Sequence, residues 1–234
     1  MAAHGTPSPP TLSSAGERVP ALVDVALKLE HAQSLDRFAQ RLSGVGAALV
    51  SNKKVADVLH GRFMGHAAHP LLTDVPIGTW TSAFLLDLVG GKKSRPASRR
   101  LVGTGILAAL PTAVTGLAEF AATTDQAARR VGVVHAAGNN VALVLYVLSY
   151  RARRRGRHGV GFLTSLAGLS VVGASGFLGA HLSLARKVAT RDPVFANQVP
   201  LGGDALPVPG EPGEPGGTAA RHREETSPSS GTTL

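Results

Sequence analysis

The stretch GHAAHPLLTDVPIGTWTSAFLLDLVGG, residues 65–91, decides how this chain is read. From Leu71 onward it is long and apolar enough to cross a hydrocarbon core of about 30 Å, which needs about 20 residues. It also carries Asp74 and Asp87, and His66 and His69 stand just before it. Read as a membrane span covering 71–91, it is the first of four. The others are 101–122, 131–150 and 161–184. Four antiparallel spans bring the start of the first, the end of the second, the start of the third and the end of the fourth to one face. That face receives His66, His69, Asp74, Glu119, Asp125, His135 and His181. Titratable groups at membrane depth are costly, so their convergence marks a candidate site.

The composition agrees with a membrane chain. Residues 101–122 hold one charge and 131–150 hold none, whereas a helix of a soluble bundle carries a charged stripe. The 24 Lys and Arg against 15 Asp and Glu give a formal charge of +9. These cations fall in short clusters beside apolar runs, as membrane topology requires, so the excess points to a lipid bilayer and not to nucleic acid. The chain has no cysteine, which excludes disulfides, Cys-ligated zinc and a resident iron–sulfur cluster. No apolar signal core follows basic residues at the start, so the first span is expected to act as the insertion signal.

Outside the spans, residues 1–20 and 203–234 are rich in Pro, Gly, Ser and Thr and are expected to be disordered tails. Residues 21–63 read as amphipathic surface helices, one over 21–42 and a weaker one over 43–63. Residues 64–184 form the four-span bundle, and 185–202 a surface segment. The fold class expected is therefore all-α: a four-helix transmembrane bundle with surface helices before it. Pro111 is expected to bend the second span, and glycines 161, 168, 173, 176 and 179 to let the fourth pack closely. Asp87 is expected to pair with Lys92 or Lys93. Asp74, between Pro70 and Pro76, is expected to meet freed backbone groups. No internal repeat stands out.

The loop over 92–100 carries five basic residues and no acid, and the loop over 151–159 carries five arginines. Short basic loops stay cytoplasmic, which places both termini and the polar face outside the cytoplasm.

The run from His69 to Trp80, HPLLTDVPIGTW, followed by Asp87, resembles the signature of an uncharacterised family of four-span bacterial membrane proteins, sometimes joined to a Rieske iron–sulfur domain. The resemblance continues through TGLAE at 115–119, ARRVG at 128–132 with His135 and Asn139, and GAHL at 179–182. It covers about 65–182. Glu119 stands where the family pattern has an aspartate followed by an aromatic, and GAH replaces Gly-Gly-His or Gly-Gly-Glu. The resemblance implies a multi-pass protein of the bacterial cell membrane. Its occasional fusion to a redox module points to electron transfer by association only.

Three chemistries suit the polar face. A b-type haem takes two imidazoles from different helices, here His135 and His181, with His69 the alternative. Asn139, Glu119 or Asp74 would orient an imidazole, and Arg129, Arg130, Arg186 and Lys187 would meet propionates. A mononuclear metal ion would use His66, His69, His135 and His181 with Glu119 or Asp74. Proton movement through Asp74, Glu119 and His135 lacks partners in the other half of the bundle. No nucleophile elbow or other self-sufficient catalytic constellation is present, so an enzyme is not expected. The function expected is a cofactor-binding module in membrane electron transfer, with a redox protein or quinone as partner. The alternative is a structural or partner-organising membrane protein without a cofactor.

Overall fold

A computed structural model describes residues 20–188. The expected tails and most of the segment 185–202 lie outside those residues. Among the described residues the chain forms seven α-helices and no strand: α1 (Ala21–His31), α2 (Asp36–Leu49), α3 (Lys53–Leu59), α4 (Ala68–Val89), α5 (Arg95–Ala122), α6 (Gln126–Arg154) and α7 (His158–Ala180). The all-α expectation holds.

The first surface helix is shorter than its apolar periodicity suggests. The chain leaves helical geometry at Ala32, with ψ at 80°, and α2 then runs across the expected boundary at 42–43. α3 begins where the Asn52 side chain accepts from the backbone N–H groups of Lys54 and Val55 at 2.9 and 3.3 Å, satisfying two donors that a helix start leaves free. α1 lies on α6, and α2 lies on α5 and α6. Gly46 permits the α2 approach, because a Cβ there would stand 2.6 Å from the Leu117 carbonyl oxygen.

Helices α4 to α7 make a ring in which α4 packs on α5, α5 on α6, α6 on α7 and α7 on α4. The connections are short, so neighbours run antiparallel. Both turns at one end, 90–94 and 155–157, pass through a glycine in the left-handed region, Gly91 at φ 61° and Gly156 at φ 74°.

The ring is turned outward relative to a soluble bundle. Leu71, Leu107, Leu110, Val144, Leu148 and Leu163 are more than 45 % exposed, while the buried set includes Ala83, Ser98, Thr112, Thr115, Ser149, Ser165 and Ser175. Small and weakly polar side chains inside, with large apolar ones outside, are what lipid-facing helices require. Three helical segments are long and apolar enough to cross a membrane: Lys92–Ala122, Gln126–Arg154 and His158–Ala185. α4 is not among them. Its 22 residues suffice in length, but Asp74, Asp87, Thr79, Thr81 and Ser82 lower its apolarity.

Two prolines shape the pairing of α4 with α5. Pro70 falls in the first turn of α4, where its missing N–H is not needed. Pro76 lies inside and frees the carbonyl of Leu72. The Thr112 hydroxyl of α5 shares its proton between that carbonyl, at 3.2 Å, and the Ala108 carbonyl of its own helix, at 2.9 Å. The freed group is an acceptor, so a hydroxyl satisfies it and the Asp74 carboxylate does not. Asp74 is exposed and makes no side-chain hydrogen bond among the described residues.

Contrary to the sequence reading, the ring contains a repeat. The His69 imidazole of α4 packs on Gly116 of α5 and donates from Nδ1 to the Thr112 carbonyl at 2.8 Å. The His135 imidazole of α6 packs on Gly179 of α7 and donates from Nδ1 to the Ser175 carbonyl, also at 2.8 Å. Three turns along, Trp80 lies on Gly105 and Tyr146 lies on Gly168. An offset of 66 residues carries His69, Trp80 and Asp87 onto His135, Tyr146 and Arg153, and an offset of 63 carries Gly105, Thr112 and Gly116 onto Gly168, Ser175 and Gly179. The hairpin α4–α5 and the hairpin α6–α7 thus repeat one packing pattern, imidazole on glycine and aromatic ring on glycine, as the internal repeats of membrane bundles do. The matching residues meet each other where the hairpins face: His69 with His135, Trp80 with Tyr146 and Asp87 with Arg153.

Candidate functional site

Three levels follow one another along the line where the hairpins meet. At one end the His69 and His135 rings stand edge to face, with centroids 6.3 Å apart and planes at 88°. In the middle, Trp80 and Tyr146 stack at 3.9 Å and 9°. The Trp80 indole N–H donates to the Val102 carbonyl at 3.3 Å. At the other end, the Arg153 guanidinium holds Asp87 by both oxygens, with the Nη1 to Oδ1 bond at 2.9 Å. Arg153 also donates to Ser98, Ser149 and Ser165. The pairing of Asp87 with Lys92 or Lys93 is therefore corrected. The guanidinium reaches from within the bundle as a planar fork that matches the carboxylate, and it adds serine contacts that an ammonium in the loop does not have.

At the histidine level each ring is fixed in the same way. A backbone carbonyl accepts only, so both imidazoles carry their proton on Nδ1 and expose a lone pair on Nε2. The Asn139 amide donates to the His135 Nε2 at 3.1 Å. No hydrogen bond forms at the His69 Nε2 among the described residues. Glu119 accepts from the His69 backbone N–H at 3.2 Å and so ties the start of α4 to α5. Of the sequence-predicted set, then, His69, His135, Asn139 and Glu119 come together.

The rest do not join them. His66 is exposed, and its ring bonds the neighbouring Ala67 carbonyl. Asp74 is exposed and bonds neither histidine. His181 lies in a π-helical turn after α7, and its Nε2–H donates to Glu30 of α1 at 2.8 Å. Glu30 also holds Arg186 at 3.2 Å, and Arg186 holds Asp125 at 2.8 Å. Among the described residues no three His, Asp or Glu side chains gather with the spacing a metal ion needs.

The expected propionate partners are engaged as well. Arg129 donates to Thr123 and Ser43, and Arg130 grips Asp36 through two nitrogens at 2.6 and 2.9 Å and donates to the Glu30 carbonyl. The Arg130 guanidinium, aided by the Gln126 amide, holds the Asp36 carboxyl down at about 2. These basic side chains pin the surface helices to the bundle.

Sequence reasoning did not connect Thr112, Ser175, Gly116 and Gly179 with the imidazoles that they hold in place, and it missed Glu30, which captures His181. The recurrence of His, then Gly, at matching offsets in both hairpins was the available signal for the first four.

A family model described as a predicted membrane protein (DUF2231) matches residues 65–192. No curated protein and no solved structure matches the chain.

Proposed function

The chain belongs to the DUF2231 family of predicted membrane proteins, and we propose from that premise that its bundle crosses the bilayer four times and binds one cofactor at the His69–His135 level. α4 supplies the fourth crossing. A 22-residue helix is about 33 Å long, enough for the hydrocarbon core, and Arg153 neutralises its inner carboxylate. The basic turns at 90–94 and 155–157 then lie on the cytoplasmic side and the histidine pair on the other.

The observation that carries the cofactor reading is the shared orientation of the two rings. Each Nδ1–H is anchored to a carbonyl of the paired helix, which sets the tautomer and leaves Nε2 as the donor atom. Two neutral imidazoles without a third ligand are few for a bare zinc or iron ion, which takes three or four protein ligands. They suit a b-type haem, which two imidazoles from different helices can hold. His69 and His135 would hold it, in place of the pair His135 and His181. Asn139 would have to release the His135 Nε2. Bound haem would supply one-electron chemistry, with a redox protein or a quinone as the exchanging partner.

A second reading is structural. The Asn139 contact on the His135 Nε2 favours it, because that imidazole is then fully bonded as a staple between α6 and α7. An absorption spectrum of protein purified after expression with ample iron and haem precursor separates the two. A Soret band lost in His69→Ala and in His135→Ala but kept in His181→Ala supports the haem. A colourless, metal-free preparation sinks it and leaves the staple.

A further inference from the structure

The end of the bundle opposite the histidines carries a second feature. The turns 90–94 and 155–157 and the helix ends beside them enclose a cleft of about 360 Å³. Lys92, Arg95, Arg99, Arg153, Arg154 and His158 line it, and no carboxylate does. Arg153 spends its charge on Asp87. Lys92, Arg95, Arg99 and Arg154 form no ion pair and no side-chain hydrogen bond among the described residues. The His158 Nδ1 is buried there, also without a hydrogen-bond partner. Like charges around one concave wall repel each other, and an anion placed among them reverses the sign of that interaction.

The topological demand for basic loops does not explain this wall. Lys93, Arg100, Arg151, Arg155 and Arg157 stand in the same segments outside the cleft and already meet it. What the other cations share is convergence from two different hairpins. The helix α7 also begins at the cleft, at His158, and its start has no side-chain cap. An uncapped helix start leaves N–H groups free for an anion.

We propose that this cleft binds a phosphate group. Arginine forks and free N–H groups match phosphate oxygens, and the volume falls in the range of small-ligand sites, about 300–1,000 Å³. The phosphate reaches it on an anionic lipid headgroup or as a soluble phosphate, since the wall sits at the level where both are available.

The test uses the full chain. Protein in detergent is titrated with inorganic pyrophosphate. Protein in nanodiscs of phosphatidylcholine alone is compared with protein in nanodiscs containing phosphatidylglycerol. The unfolding temperature and, by native mass spectrometry, the retained lipid are read out. Stabilisation by pyrophosphate identifies a soluble phosphate, and stabilisation or lipid retention only with phosphatidylglycerol identifies the headgroup. In either case Arg95→Gln/Arg99→Gln is expected to weaken binding about tenfold or more, the loss of roughly one charged contact. Arg151→Gln/Arg155→Gln removes equal charge outside the cleft and is expected to leave binding unchanged. Lys92→Gln/Arg154→Gln carries the first expectation if Arg95→Gln/Arg99→Gln loses helicity by circular dichroism. Absence of binding with both probes, or equal loss in cleft and control variants, overturns the proposal.

Discussion

Asp87 and Arg153 stand at matching offsets in the two hairpins, and they bond to each other. Their side chains are 9 % and 1 % exposed, so the pair is closed off from solvent. A buried pair gives little net stability compared with apolar substitutes, yet breaking it leaves an uncompensated charge.

Arg153→Leu is therefore expected to destabilise the protein by about 3–5 kcal/mol, and Asp87→Leu/Arg153→Leu by clearly less. The exchange Asp87→Arg/Arg153→Asp is expected to recover part of the loss. It restores the pair between the hairpins but moves the guanidinium away from Ser149 and Ser165. Thermal unfolding in one detergent checks all three, and an exchange variant no more stable than Arg153→Leu would contradict the equivalence.

Gly116→Ala and Gly179→Ala would each place a methyl group 2.7–2.8 Å from an imidazole carbon, of His69 and His135 respectively. Overpacking of this kind costs about 1–3 kcal/mol. Gly173 and Gly176 have open space at the Cβ position, so alanine there is expected to be neutral or to stabilise α7 by about 0.5–1 kcal/mol. The contrast in melting temperature between the two pairs of variants is the measurement.

The Tyr146 hydroxyl is buried without a hydrogen-bond partner, while its ring stacks on Trp80. Tyr146→Phe keeps the stack and removes the unsatisfied group. Its effect is expected to be neutral to about 1 kcal/mol stabilising. Tyr146→Ala opens a cavity beside Trp80 and is expected to cost about 3–5 kcal/mol. A markedly destabilised Tyr146→Phe would show that the hydroxyl has a partner.

Acid should release the surface helices before it melts the bundle. Asp36 has its carboxyl pKa lowered to about 2 by Arg130 and Gln126, from an ordinary value of 3.8. A lowered carboxylate pKa stabilises the folded contact above the ordinary value, and that contribution disappears as the pH falls from 3.8 towards 2. Amide exchange in α1 and α2 is expected to rise over that window while α6 and α7 stay protected. Asp36→Asn should show the faster exchange already at neutral pH and little further change on acidification.

The depth of each polar group along the bundle was legible in the sequence, and its direction around the helix was not. His69, His135, Asn139 and Glu119 share a level because antiparallel helices of similar length must align their ends. His181 shares that level too, but it turns towards Glu30, a residue 151 positions away on a surface helix whose docking no local pattern announces. The repeat escaped notice for a different reason. Along the line of contact only the histidines and their glycines are identical, whereas the other facing partners differ, Trp with Tyr and Asp with Arg. The prolines were legible as helix perturbations, but the Thr112 hydroxyl beside the carbonyl that Pro76 frees comes from another helix.

Were a lone hairpin to assemble with an identical twin, every side chain at the centre would confront its own likeness, acid against acid at the inner level. Joining both halves in one polypeptide removes that restriction. Each half is then free to diverge, and opposite charges, or two unlike rings, become possible on a line where a homodimer permits only sameness.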